Sequence, residues 1–209
     1  EAEHYKDYVP EVIPEYFILG TVNNYMGRFY LKLKEDQLDY YWNNEDSTAY
    51  FLKKYLKDKF GVNIKVVKDE LNRTITYSPE LAKKINGYFD ETGSLKTDTF
   101  KADEDICSFL LGVYYRYGYK ITDFVYKIQG SSIPDSKIIY SLLNKVRCDK
   151  IIYSVEYGLL PVQTVFYFKS SVLLEKYFNS IEPEYVARKV EKPKLLSEEK
   201  EKAVLFLFK

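Results

Sequence analysis

The chain has 209 residues, 46% of them hydrophobic, with 22 Tyr and 13 Phe. That composition excludes a disordered or fibrous polymer and allows a substantial core in one domain or two small ones. Lys and Arg number 31, as do Asp and Glu, so the whole surface does not track phosphates, and any nucleic-acid surface is a local patch.

Residues 1 to 11 are polar and read as a loose lead-in. Glu15 to Tyr25 then reads as a helix, with Pro14 suited to its first turn and Gly27 just past its end. Over Arg28 to Lys34 the residues alternate. Phe29, Leu31 and Leu33 take one face of a strand, and Arg28, Tyr30, Lys32 and Lys34 the other. Glu35 and Asp36 turn the chain into a second strand, Leu38 to Trp42. Asp46 or Ser47 caps a helix running to about Lys59, which Gly61 ends. Val62 to Lys68 and Arg73 to Tyr77 form a hairpin, and Ser78, Pro79 and Glu80 open a helix reaching about Phe89.

After a polar stretch from Glu91 to Ala102 the order recurs. Asp103 to Tyr117 is a helix whose first turn holds three acids, favourable to the helix dipole. Two strands follow within Tyr119 to Gly130, turning near Asp123. Then come a helix from Pro134 to Cys148, strands at Lys150 to Glu156 and Val162 to Phe168, and a helix from Ser171 to Ser180. Helix, two strands, helix, two strands, helix therefore occurs twice, which constrains a fold more than any single propensity. The expected class is α+β, with duplicated αββαββα units. The division is 12–90 for the first repeat, 91–102 for the linker, 103–180 for the second repeat and 181–209 for a C-terminal tail. The tail is charged and ends in the apolar run Ala203 to Phe208, for which Ser197 is a candidate cap. An apolar chain end must dock. Docking on the chain's own body is the expectation, and a protein partner engaging residues 195–209 is the alternative.

Conventional catalytic parts are scarce. The sole histidine, His4, lies in the lead-in, so Ser-His-Asp, Cys-His and His-metal sites lack components. The nine glycines sit at element ends and form no phosphate loop. Gly130, Ser131 and Ser132 precede a helix and read as a capping loop rather than an anion site. Cys107 and Cys148 each fall within a predicted helix and read as buried, reduced thiols of an intracellular protein, its compartment unassigned. No apolar run approaches the roughly 20 residues of a membrane span, and no membrane partner is expected. A start at Glu1 without Met is consistent with a removed leader or tag. No cofactor is expected.

The segment from Leu110 to Gly118, LLGVYYRYG, resembles the motif of the LAGLIDADG homing endonucleases in their two-repeat, single-chain form. Ile18 to Tyr25, ILGTVNNY, resembles it more loosely, with Met26 where the motif's last glycine belongs. The resemblance covers about residues 12 to 180. It implies that the two motif helices pack together, Gly20 and Gly112 allowing close backbone approach, and that strands of both halves build a concave sheet saddle lying along nucleic acid. In active members the last acid of each motif binds the divalent ions of phosphodiester hydrolysis. The matching positions here hold Tyr25 and Tyr117. A neutral phenol does not replace a carboxylate, and Glu15 and Asp103 to Asp105 stand at the wrong helix ends to substitute. No metal site and no catalytic residue are therefore expected.

The expected nucleic-acid surface comprises Arg28, Tyr30, Lys32, Lys34, Lys65 and Arg73 in the first unit. The second unit supplies Lys120, Tyr126, Lys127, Tyr153, Tyr167 and Lys169. Cations meet phosphates, and aromatic rings stack on unpaired bases. The leading expectation is an inactive protein of this lineage that binds DNA or structured RNA. A structural or assembly subunit using the fold for protein contacts is the alternative, and an active endonuclease the third.

Overall fold

A computed structural model of the chain describes residues 5–22, 35–42, 45–91, 93–96, 98–130, 133–156, 163–189 and 198–208, with the side chains of 133–135, 182–189 and 198 left aside. The expected strand over Arg28 to Lys34, together with Tyr25, lies outside these residues.

Seven helices and two antiparallel sheets are present among the described residues, so the fold is α+β. The first half runs α1 (Pro14–Val22), β1 (Gln37–Tyr41), α2 (Asp46–Phe60), β2 (Lys65–Lys68), β3 (Thr74–Tyr77) and α3 (Pro79–Gly87). The second runs α4 (Asp103–Tyr117), β4 (Gly118–Lys120), β5 (Val125–Gly130), α5 (Ile133–Lys145), β6 (Asp149–Glu156), β7 (Gln163–Lys169) and α6 (Val172–Lys189). A last helix, α7, spans Glu198–Phe206. The sheets are ordered β1-β3-β2 and β4-β5-β7-β6.

The helix ends follow from local chemistry. Gly61 adopts φ of 67° and closes α2 by donating to Lys57 O, while Val62 N–H reaches back to Leu56 O. At the start of α4 the Asp105 carboxylate turns back to accept from the N–H groups of Lys101 (2.8 Å) and Ala102 (3.1 Å). At the β2–β3 turn Asp69 accepts from the backbone of Leu71 and Arg73 and from the Arg73 guanidinium.

The centre of the molecule is the α1–α4 contact. A methyl group added at Gly20 would lie 2.0 Å from Phe109 O, and one added at Gly112 would lie 2.0 Å from Phe17 O. The relation is reciprocal: each glycine faces the carbonyl three residues before the other. Only glycine permits this backbone approach. Phe17, Ile18, Leu19, Phe109, Leu110 and Leu111 are fully buried around it. The Tyr115 hydroxyl donates to Thr48 O at 2.7 Å and ties α4 to α2 across the two halves.

Four expectations need correction. The lead-in is pinned from Tyr5 onward, because its tyrosines find apolar and polar partners together: Tyr8 meets Tyr177 hydroxyl to hydroxyl, Tyr177 donates to Glu11 O, and Ile13 N–H donates to Ser108 Oγ. The stretch after α3 packs rather than merely links, since Leu95 bridges to Phe89 and Thr99 O accepts from the Tyr16 hydroxyl. The helix α6 does not stop at Ser180. Ile181 is as fully buried as Tyr177 and Phe178, so the chain is still coiled against the core there, and the helix runs to Lys189 through Pro183. Cys148 lies beyond the end of α5, partly buried, while Cys107 is buried within α4, and both thiols are free.

Candidate nucleic-acid interface

Period-two alternation divides the expected surface of the second half. Adjacent strand residues point to opposite faces, so Tyr126 and Lys127 cannot share one. The side facing the helices takes Tyr126, Ile128, Phe166 and Phe168 into the main core. The Tyr126 ring is fully buried against Tyr114 and Phe178, its hydroxyl 3.4 Å from Glu175. Lys120, paired across the strands with Tyr126, sets its ammonium 5.6 Å from that ring, on the same side. Tyr126 and Lys120 are therefore corrected: both belong to the helix side of the sheet. Tyr153 also falls on this side, beside Phe166 and the α5 residue Tyr140, yet at the edge strand it remains 60% exposed.

The other face brings together Lys127, Tyr167 and Lys169, joined by Tyr119 from β4. Tyr119 and Tyr167 are the cross-strand neighbours of Lys127 on either side, and its ammonium sits 5.7 and 5.5 Å from their ring centres. Helix α7 covers this face. Phe208 packs with Val125, Val165 and Tyr167, and Val204 and Leu205 lie partly buried beside them. The apolar chain end is thus docked on the chain's own sheet. Glu201 accepts from Lys127 at 3.1 Å, and Lys200 donates to Glu156 at 3.3 Å. Lys127 is consequently only 5% exposed and Tyr167 is fully buried. Burial, and after it the charges of Glu201 and Glu156, push the Tyr167 phenol above its ordinary pKa. Lys169 remains exposed beside Phe124.

In the first half, Lys65 is exposed on the edge strand β2. Arg73 is held to Asp69 at 2.6 Å and lies over the Tyr40 ring, 5.1 Å from its centre. Arg28, Tyr30, Lys32 and Lys34 lie outside the described residues.

At the foot of α4, beside Tyr117, stands a group that the sequence reading overlooked. Arg116 is 2% exposed, yet all five of its guanidinium N–H donors have acceptors. Nε and Nη2 grip the Glu45 carboxylate at 3.1 Å each, Nη1 donates to Asp39 Oδ2 (2.7 Å) and Thr21 O (2.9 Å), and Nη2 also donates to Tyr40 O (3.1 Å). The plane lies over the Tyr41 ring at 4.1 Å and near that of Tyr117 at 5.1 Å. Burial opposes its charge, but Glu45 and then Asp39 more than compensate, and its pKa is raised well above the ordinary value. Burial likewise raises Tyr117 well above a phenol's usual range, against the pull of Arg116, so Tyr117 stays neutral. The signal for Arg116 was present: it is the only charge between Ile106 and Tyr117, in an otherwise apolar helix. A charge so placed demands an acid from elsewhere in the chain.

The resemblance implies divalent ions at this place. The described residues do not fit one. Tyr117 offers a neutral phenol, and the nearby carboxylates of Asp39 and Glu45 are spent on a fixed guanidinium that would repel a second cation at this distance.

These features define an α+β protein in which glycine-paired helices back two antiparallel sheets. In sequence the chain matches no protein-family model and no curated protein. Among solved structures it is similar to a variant of the homing endonuclease I-DmoI in complex with its target DNA in the presence of manganese. That likeness has a TM-score of 0.49 at 15% identity, covering 81% of this chain and 91% of that one. It is also similar to the N-terminal LAGLIDADG domain of DUF199/WhiA, with a TM-score of 0.45, 14% identity and coverage of 93% and 90%. Full-length DUF199/WhiA from Thermatoga maritima gives 0.45 and 14%, over 96% of this chain and 68% of that one. The resemblance noted in the sequence rests on the two motif segments, whose helices α1 and α4 meet through Gly20 and Gly112. Among the described residues no helix is long and apolar enough to cross a membrane.

Proposed function

We propose that this chain is a two-repeat LAGLIDADG-derived protein, divided near residues 91–102, that binds nucleic acid through its sheet surface and does not cleave it. The observation that carries the reading is Arg116. A saturated guanidinium locked to Asp39 and Glu45 stands beside the Tyr117 position, where the motif resemblance would put a metal-binding acid. Cleavage there would require both a carboxylate in place of Tyr117 and removal of the cation. The cations left exposed on the sheets, Lys65 and Lys169 among them, supply phosphate contacts of the kind that survives loss of catalysis.

The experiment is retention of labelled duplex DNA, single-stranded DNA and structured RNA by the purified chain, at low and physiological salt, with magnesium present. Retained, uncut complexes whose affinity falls with salt are expected. Magnesium-dependent cutting would overturn the non-cleaving part, and no retention of any class would overturn the binding part. The assembly reading has one observation of its own: Phe206 and Leu207 project from the end of α7, 72% and 59% exposed. Val204, Leu205 and Phe208, by contrast, are engaged by this chain's own sheet, which leaves little of the tail's apolar surface for a partner.

A further inference from the structure

Lys127 is a buried cation whose shell is incomplete among the described residues. An ammonium has three N–H donors, and among the described residues Glu201 is its one hydrogen-bond acceptor, at 3.1 Å. The rings of Tyr119 and Tyr167 flank it. The Tyr167 hydroxyl is fully buried on the same face and has no hydrogen-bond partner among the described residues. A buried hydroxyl left unsatisfied is costly, and this one belongs to a ring that flanks a cation with a single acceptor among the described residues. A carboxylate offers two oxygens to this place, whereas a phosphate group presents more acceptors to the ammonium donors that Glu201 leaves unfilled.

The cover over this place is slight. Helix α7 has nine residues, too few to be stable on its own. It is seated by Val204, Leu205 and Phe208, and by the pairs Glu201–Lys127 and Lys200–Glu156. The second pair is largely exposed at Lys200 and contributes little. Glu201 therefore occupies the position that an anionic ligand would take, on an element held by few contacts.

We propose that Lys127, Tyr119 and Tyr167 form a phosphate-binding site for a nucleic-acid backbone, and that Glu201 of α7 closes it as an internal phosphate mimic. The proposal rests on the nucleic-acid reading above and adds where one phosphate binds and what competes with it. A ligand must displace Glu201, so the affinity of the intact chain is held below what the sheet alone would give.

The test uses full-length variants and two probes, a labelled single-stranded oligonucleotide and inorganic tripolyphosphate. Glu201→Gln removes the competing charge while keeping the apolar seat of α7, and should tighten both probes by about tenfold, the scale of one charge-assisted hydrogen bond. Val204→Ser with Phe208→Ser loosens the seat instead and should act in the same direction. Adding Lys127→Gln to either should abolish the gain. If Glu201→Gln changes neither probe, or if the gain survives Lys127→Gln, the proposal is overturned. Tripolyphosphate binding that tightens in a Lys127-dependent way, with no oligonucleotide retained, upholds the site and removes the nucleic-acid reading. Oligonucleotide binding that ignores all these changes does the reverse.

Discussion

Two buried cations anchor the two ends of this molecule's chemistry, and they are held in opposite ways. Arg116 has five donors and an acceptor for each, drawn from three segments of the first half: Thr21 at the end of α1, Asp39 and Tyr40 in β1, and Glu45 before α2. Among the described residues Lys127 has one carboxylate, from the short helix α7, and two aromatic rings. A guanidinium fixed by five hydrogen bonds has nothing left to offer a ligand, and two of its acceptors, Asp39 and Tyr40, are built into β1. An ammonium with one removable partner keeps its chemistry in reserve. Burial alone therefore does not separate structural from functional charges. How many donors are filled, and by which elements, does.

The largest effect belongs to Arg116. Arg116→Met takes the guanidinium away from Asp39, itself 2% exposed, and should cost about 3–5 kcal/mol by chemical denaturation. Arg116→Lys should recover only part of this, because three donors cannot replace a five-donor fork. A loss below about 1 kcal/mol for the Met variant would place the network among merely decorative ion pairs and remove the contrast.

Next come the glycines. Gly112→Ala or Gly20→Ala drives a methyl to 2.0 Å from a carbonyl oxygen of the facing helix, and each should cost about 1–3 kcal/mol or more as the helices part. Gly87→Ala is the internal control. Nothing lies within 4 Å of a methyl there, and helix propensity predicts a gain of about 0.5–1 kcal/mol. Equal losses at all three positions would mean that close helix approach is not what these glycines serve.

Much of this was legible in the sequence, and the physical reason differs by element. Helix α4 was readable to its ends because acids open it, an apolar run fills it and Gly118 follows. The glycine pairing was legible through the motif resemblance, which implies that Gly20 and Gly112 let the two motif helices approach. The site was less so. Arg116 and Asp39 lie 77 positions apart, and Lys127 and Glu201 lie 74 apart, so both ion pairs are products of tertiary packing. Each still left a trace: a lone charge in an apolar helix, and an acid ahead of the apolar run that ends the chain. Tyr126 was misplaced for a simpler reason, since a strand cannot present residues 126 and 127 to the same face. The long reach of α6 was hidden by Pro183, which reads as a helix stop until Ile181 is seen buried beyond the expected end.

The comparison sharpens at Lys127. Lys127→Met should change stability by less than about 1 kcal/mol in either direction, because Glu201, 27% exposed, is rehydrated when its partner goes and the new side chain packs against Val125 and Tyr167. A loss matching that of Arg116→Met would show that Lys127 is as structural as its counterpart, and would weaken the case for a site beneath α7.

The smallest effect is a dependence on acid confined to the β2–β3 hairpin. For Asp46, burial would raise the carboxyl pKa, but hydrogen bonds from Lys68 and from Thr74 (2.5 Å) outweigh it and hold the value below the ordinary one. For Asp69, burial again pulls upward and the Arg73 side chain and backbone prevail. A carboxyl depressed in the folded state binds fewer protons there than in the unfolded chain. Its contribution is therefore present above the unfolded value, near 3.9 for Asp, and is lost as pH falls through the folded one. Amide protection in residues 65–77, taken relative to the intrinsic exchange rate at each pH, should fall below about pH 4, before the α1–α4 contact, which holds its helices by glycine packing, responds. In the double variant Asp46→Asn with Asp69→Asn the hairpin should start looser and lose most of that acid response. An unchanged acid response in the double variant would mean that some other group, not this pair, sets it.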